Sequence, residues 1–200
     1  MGASALAFGQ SRTLPPKDGS GRDPGFAAFF TQLRETVRTK DAATLLRVVN
    51  PNIKNSFGGD DGVEEFRGIW AIDKPDSKIW GTLDLILKLG GSWLGQETYC
   101  APHLFVEFPE DLDAFEHLVV TGTRVRLRVG ASLGAPVRRG LSYTIVRQIK
   151  AGDEWTQVRT LDGASGFVAT AYLYSPVGYR ACFGKNEVRS WQMDLLVAGD

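Results

Sequence analysis

Apolar residues in the first half of the chain recur at helical spacing. Phe26, Phe29, Phe30, Leu33 and Val37 fall at i, i+3, i+4, i+7 and i+11, one face of an amphipathic helix. Asp23 followed by Pro24 supplies an N-cap and a first-turn proline. Asp41 is placed to cap a short second helix carrying Leu45, Leu46, Val48 and Val49. That helix must stop before Pro51, because the residue ahead of a proline is pushed out of helical backbone. Asp61 and Glu64 stand three apart, an acidic variant of the capping box, so a third helix with Val63, Phe66 and Trp70 is expected to start at Gly62. Ser77 is expected to cap a fourth helix over 78–89. Ile79, Trp80, Leu83, Leu85, Ile86, Leu87 and Leu89 make it apolar nearly all round, which places it in the core, and Gly90 and Gly91 end it. Residues 98–108 are strand-like but contain Pro102, which removes a ladder donor and predicts an edge strand or an irregular connector.

From Leu118 the period changes to two. Val125, Leu127 and Val129 alternate with Arg124, Arg126 and Arg128, so three arginines are expected on one face of a strand. Tyr143, Ile145, Arg147 and Ile149 continue the strand signal, Gly152-Asp153 makes a turn, and 154–160 returns. Asp162-Gly163 is a hairpin signal. Gly166-Phe167-Val168 is the next strand, and 169–173 suits a single helical turn. Two more strands, 179–184 and 191–199, flank a polar loop at 184–190. They must bury Phe183, Trp191, Leu195 and Val197, and the helical half is the expected partner.

Composition adds bounds. Hydrophobic residues are 43% and charged residues 23% of 200, ordinary for a globular chain that builds its core without metal or disulfide. The formal net charge of zero gives no case for nucleic acid or an anionic membrane as partner. The charge is uneven, however: 11 basic and 6 acidic residues from 118 onward, against 12 and 17 before it. The two halves attract each other, the split is chance, or the second half offers a basic face to an anionic partner. No apolar run reaches the ~18 residues of a membrane span. Residues 2–9 are small and apolar, and Ala5-Leu6-Ala7 fits the small-x-small rule for signal cleavage, so this start reads as the tail of a secretory signal. Residues 10–24 read as disordered Pro/Gly-rich linker. Cys100 and Cys182 would form one disulfide in an oxidising compartment, or stay buried thiols in the cytosol.

The segment Val125-Arg126-Leu127-Arg128-Val129-Gly130-Ala131-Ser132, with Trp155-x-x-Val158, Asp162-Gly163, Gly166-Phe167-Val168 and Tyr172-Leu173, resembles the bacterial SH3-like (SH3b) family of cell-envelope proteins. The match covers about 55 residues of the second half. Arg128 and Gly130 agree with the family's usual first motif, while Arg126 stands where Asn is common and Ala131 where Pro is common. The resemblance implies a small β-barrel, export, and binding of cell-wall peptides or glycans. The departure at Arg126 leaves the usual ligand open.

Four groups of residues are candidate sites. Arg124, Arg126 and Arg128, with Arg138 and Arg139, could grip carboxylates or phosphates, or form a solvated face. Trp155, Phe167, Tyr172 and Tyr174 cluster near the expected groove; Trp155 and Phe167 are expected in the core, Tyr172 and Tyr174 on the surface. The loop over 50–62, with Asn55, Asp60 and Asp61, could dock a partner or, with Glu64 and Glu65, hold Ca²⁺, although its acids are explained by helix capping and its spacing is not an EF-hand. Cys100 and His103 lie three apart on a strand-like segment, which points them to opposite faces and argues against a dyad. No phosphate loop, nucleophile elbow, zinc spacing or dinucleotide fingerprint appears.

The expected protein is α+β: signal remnant and linker over 1–23, a helical domain over 24–117, and an SH3-like β-barrel with a C-terminal β-hairpin over 118–200. The expected role is a non-catalytic periplasmic or secreted module without cofactor, metal or nucleic-acid partner. It would recognise a cell-wall component or another envelope protein through Arg126, Arg128, Trp155, Tyr172 and Tyr174. The alternatives are a scaffold acting through the acidic loop and a hydrolase with an unrecognised site.

Overall fold

Capping sets the first helices. In the computed structural model, which describes residues 10–199, the Asp23 carboxylate accepts from the Phe26 N–H at 2.9 Å with Pro24 in the first turn. That N–H and the Lys185 ammonium 3.0 Å away hold the Asp23 carboxyl below its usual range. Asp41 accepts in the same way from Thr44 N–H at 3.0 Å.

In chain order the elements are strand β1 (Lys17–Asp18), helices α1 (Pro24–Thr39) and α2 (Ala42–Arg47), strand β2 (Val49–Lys54), helices α3 (Val63–Trp70) and α4 (Ile79–Lys88), strands β3 (Gly90–Leu94) and β4 (Thr98–Ala101) and helix α5 (His103–Glu107). Then follow strands β5 (His117–Val120), β6 (Val125–Arg128), β7 (Val137–Leu141), β8 (Ile145–Lys150), β9 (Trp155–Thr160), β10 (Ser165–Ala169), β11 (Leu173–Tyr174), β12 (Arg180–Lys185) and β13 (Trp191–Val197). Short 3₁₀ turns occupy Ser20–Arg22 and Thr170–Tyr172. The protein is therefore α+β, with two sheets. Its contacts divide it into two units: 16–107 with 177–199, and 10–15 with 108–176. Residues 177–199, grouped by sequence with the barrel, belong to the unit that holds the helices.

In that helical unit the sheet order is β1-β3-β4-β12-β13-β2. Its centre is aromatic. Phe26 lies 4.4 Å from Tyr99 and 5.8 Å from Phe183 by ring centroids, and Phe30 lies 5.3 Å from Tyr99. The terminal hairpin β12–β13 thus buries Phe183 against the helices, as its apolar content requires. Cys182 faces Cys100 across β12 and β4, and a disulfide joins them.

Several details depart from the sequence expectation. The second helix stops at Arg47, and Val49 opens a strand that runs parallel to β13, with Met193 N–H donating to the Val48 carbonyl at 2.7 Å. β4 is not an edge strand: it lies between β3 and β12, and Pro102 falls just beyond its last residue. Asp61 does not cap α3; Gly62 does so with backbone alone, and Asp61 instead accepts from Asn55 N–H at 3.2 Å. The 10–23 stretch, read as linker, is hydrogen-bonded: β1 runs parallel to β3, and the Arg12 carbonyl accepts from Ile145 N–H at 2.9 Å. Backbone donors decided this, and side-chain polarity does not reveal them. The signal-like start, 2–9, lies outside the described residues.

The second unit is a seven-stranded sheet in the order β11-β5-β8-β9-β10-β6-β7. Val120, Val125, Leu127, Leu141, Val146, Val158 and Val168 form its core. The sheet is open rather than the closed barrel expected. β11 is two residues long, and both pair with β5, so among the described residues no strand bonds the outer edge of β7. Among the described residues no helix is long and apolar enough to cross a membrane.

Candidate functional site

A groove of about 270 Å³ opens on the second unit. Arg126 and Arg128 come from β6, Arg124 from just before it, Trp155 from the start of β9, Ala169 from the end of β10, Tyr172 from the 3₁₀ turn, and Leu133 from the turn between β6 and β7. Four residues expected from the sequence, Arg126, Arg128, Trp155 and Tyr172, therefore line one hollow. Tyr174 does not. It sits on β11 opposite Val119, on the far edge strand.

The arginine stripe is not uniform. Arg124 has left-handed backbone, φ +52°, and its N–H donates to Ser142 Oγ at 2.9 Å. Arg126 is exposed, while Leu127 and Arg128 are both buried; between them the pairing with β7 slips, with Arg138 as the extra residue on β7. Such a bulge disrupts the ladder locally and increases its twist. Arg128, only 5% exposed, donates from Nη1 to the Ala135 carbonyl at 2.6 Å. That carbonyl belongs to a turn closed by Val129 N–H on the Pro136 carbonyl (3.0 Å) and Ala135 N–H on Ser132 Oγ (3.1 Å). The same turn leaves Leu133 80% exposed at the groove rim. Leu133 was missed from the sequence; its signal was a lone large apolar residue between Ser132 and Gly134 in a turn.

Trp155 and Phe167, expected in the core, are half-buried instead. The pleat settles this. Thr156, Val158 and Thr160 take the inward positions of β9, and Gly166 and Val168 those of β10. Arg139 does not join the groove: its guanidinium forks onto Asp162 with two 2.7 Å bonds. The fork and the Thr160 hydroxyl hold the Asp162 carboxyl far below its usual range.

The acidic loop turns on itself. Asn55 Nδ2 donates to the Gly62 carbonyl at 2.9 Å, and Ser56 Oγ accepts from Gly58 N–H at 3.0 Å. Asp60 and Asp61 are exposed. Among the described residues no cluster of three or more His, Cys, Asp or Glu side chains is arranged to hold a metal ion. Both cysteines are oxidised, so neither is a thiol nucleophile. His117 Nδ1 lies 2.8 Å from the Asp113 carbonyl and His103 Nδ1 2.8 Å from that of Leu89.

A second cleft, about 300 Å³, lies on the helical unit between Trp93 and Trp191. It contrasts with the groove in charge: Asp23 and Glu97 stand among its cations, and Lys185 is paired with Asp23. Among the described residues no carboxylate lines the groove.

Compared with known proteins, the chain matches no family model, no curated protein and no solved structure. Fold and site define an α+β protein with two open sheets and a basic, aromatic groove on one of them.

Proposed function

We propose that this chain is a non-catalytic binding protein of the cell envelope, periplasmic or secreted, that holds a cell-wall ligand in the groove of its second unit. The observation carrying this reading is the convergence of Arg126, Arg128, Trp155 and Tyr172 on one open hollow that no segment among the described residues of its unit fills. Indole and phenol faces offer flat apolar area, and guanidinium forks offer directed donors. The Cys100–Cys182 disulfide supports an oxidising compartment. The return of β11 to β5 after a single helical turn supports an SH3-like arrangement of this unit.

Retention on purified peptidoglycan tests the reading. Wild-type protein is expected in the pellet, and Trp155→Ala with Tyr172→Ala in the supernatant. Wild-type protein that stays in the supernatant sinks the cell-wall assignment.

A further inference from the structure

We infer that the groove is built for an anion: the carboxylate of an acidic peptide, seated on Arg126 and Arg128, with a neighbouring apolar side chain against Leu133, Trp155 and Tyr172. The inference rests on the groove being the binding surface.

The argument starts from the ion pairs of this unit. Arg12 is paired with Asp111 at 2.6 Å, Arg139 with Asp162 at 2.7 Å and Arg147 with Glu116 at 2.9 Å. Arg124, Arg126 and Arg128 make no ion pair among the described residues, and no acid lines the groove they share. Arg128 is the decisive member. It is 5% exposed, and one carbonyl, that of Ala135, is its side chain's acceptor. A guanidinium has five N–H donors and stays charged at any physiological pH. Buried charge without a counter-ion is costly, and folded chains almost always pair it. Here the cation is buried where β6 meets a bulge in β7, and Arg128 still lines an open hollow. An arriving oxyanion offsets the desolvation already incurred, which makes the empty groove selective for negative charge.

The lining also separates classes of anion carrier. Sugar hydroxyls need acceptors as well as donors, yet among the described residues the groove presents no Asp, Glu, Asn or Gln side chain, and its side-chain acceptors are the Thr123 and Tyr172 hydroxyls. A nucleic-acid strand needs a basic track beyond one hollow. The whole chain is formally neutral, and Arg12, Arg139 and Arg147 of this unit are already paired with acids. A peptide needs one carboxylate site and one apolar contact, and the groove supplies both.

The test uses the full-length chain with labelled nitrogen. The Nε–H signals of Arg126 and Arg128 are followed by NMR during titration with acetate, inorganic phosphate and chloride at constant ionic strength. Acetate is expected to give saturable shifts at both arginines, and chloride none; phosphate acting where acetate does not would overturn the carboxylate assignment. The peptide Ac-Ala-Glu-Leu-Glu-Ala-NH2 is expected to bind about tenfold more tightly than its Gln counterpart, the loss that goes with one charge-assisted contact. Exposed Arg126→Gln is expected to remove about tenfold with the rest of the spectrum unchanged. Arg128→Lys, which keeps the charge and loses the fork, checks the buried position. Equal affinity for the Glu and Gln peptides, or a single-stranded oligothymidine that outcompetes the Glu peptide, overturns the inference. Retention on peptidoglycan without any anion preference overturns the inference alone. Anion preference without retention overturns the cell-wall reading alone.

Discussion

Cys100 and Cys182 stand directly opposite each other on neighbouring antiparallel strands, Cα to Cα 4.1 Å, at a centre position of the six-stranded sheet. They are 82 residues apart in sequence, so the bond fastens the C-terminal hairpin to a strand laid down far earlier in the chain.

Closing a loop of that length restricts the unfolded chain by about 4–5 kcal/mol on the chain-entropy model. Reduction, or Cys100→Ala with Cys182→Ala, is expected to lower unfolding free energy by up to that amount. Urea unfolding with and without reductant measures it; coincident curves would show that the bond does not stabilise the fold.

Asp162 gives the stability a pH dependence of known sign. Its carboxyl is held far below the usual range, first by Arg139 and then by the Thr160 hydroxyl. A depressed folded value means that the contribution is full above the unfolded Asp value of about 3.9 and is lost as pH falls toward the folded one. Both partners are about a third exposed, so Asp162→Asn is expected to cost only about 1 kcal/mol at pH 7. The difference between variant and wild type should shrink below pH 4 in urea midpoints taken from pH 3 to 7.

Gly90 sits where a side chain does not fit without displacing its neighbours. Its φ is +74°, and an added Cβ would stand 2.0 Å from the Lys17 carbonyl oxygen, inside the β1–β3 pairing. Gly90→Ala is expected to cost roughly 2 kcal/mol or more and to detach 17–18. Faster amide exchange near Gly91 together with a lower melting temperature would show it; an unchanged melt would refute it.

Tyr172 and Tyr174 form an internal control. Tyr172 is 51% exposed and lines the groove, whereas Tyr174 lies on the edge strand away from it. Tyr172→Ala is expected to leave stability within about 0.5 kcal/mol and to weaken ligand retention roughly tenfold. Tyr174→Ala should leave retention unchanged; equal losses would place the binding surface elsewhere.

Local signals proved readable where the interaction is local. Asp23, Pro24 and Asp41 mark helix starts because a cap bonds within three residues of itself. The period-two stretch beyond Leu118 forms strands, and 170–172 makes its helical turn. The candidate residues Arg126, Arg128, Trp155 and Tyr172 were visible as residue types, but their meeting was not. Trp155 was misplaced into the core because size suggested burial, while the pleat gave the inward positions to Thr156 and Thr160. The strand at Val49–Lys54 was hidden by Pro51 and by its partner β13, some 140 residues away in the chain.

By itself the sequence determined the caps at Asp23 and Asp41, the switch of hydrophobic period and the apolar content that the terminal hairpin must bury, since each depends on residues near one another in the chain. Only the tertiary structure decided that Cys100 meets Cys182, that the seven-stranded sheet stays open, and that Arg128 is buried without an acid beside it. Those outcomes depend on strand register and on one bulge, and a slip of a single residue, which no local pattern records, turns every side chain to the opposite face.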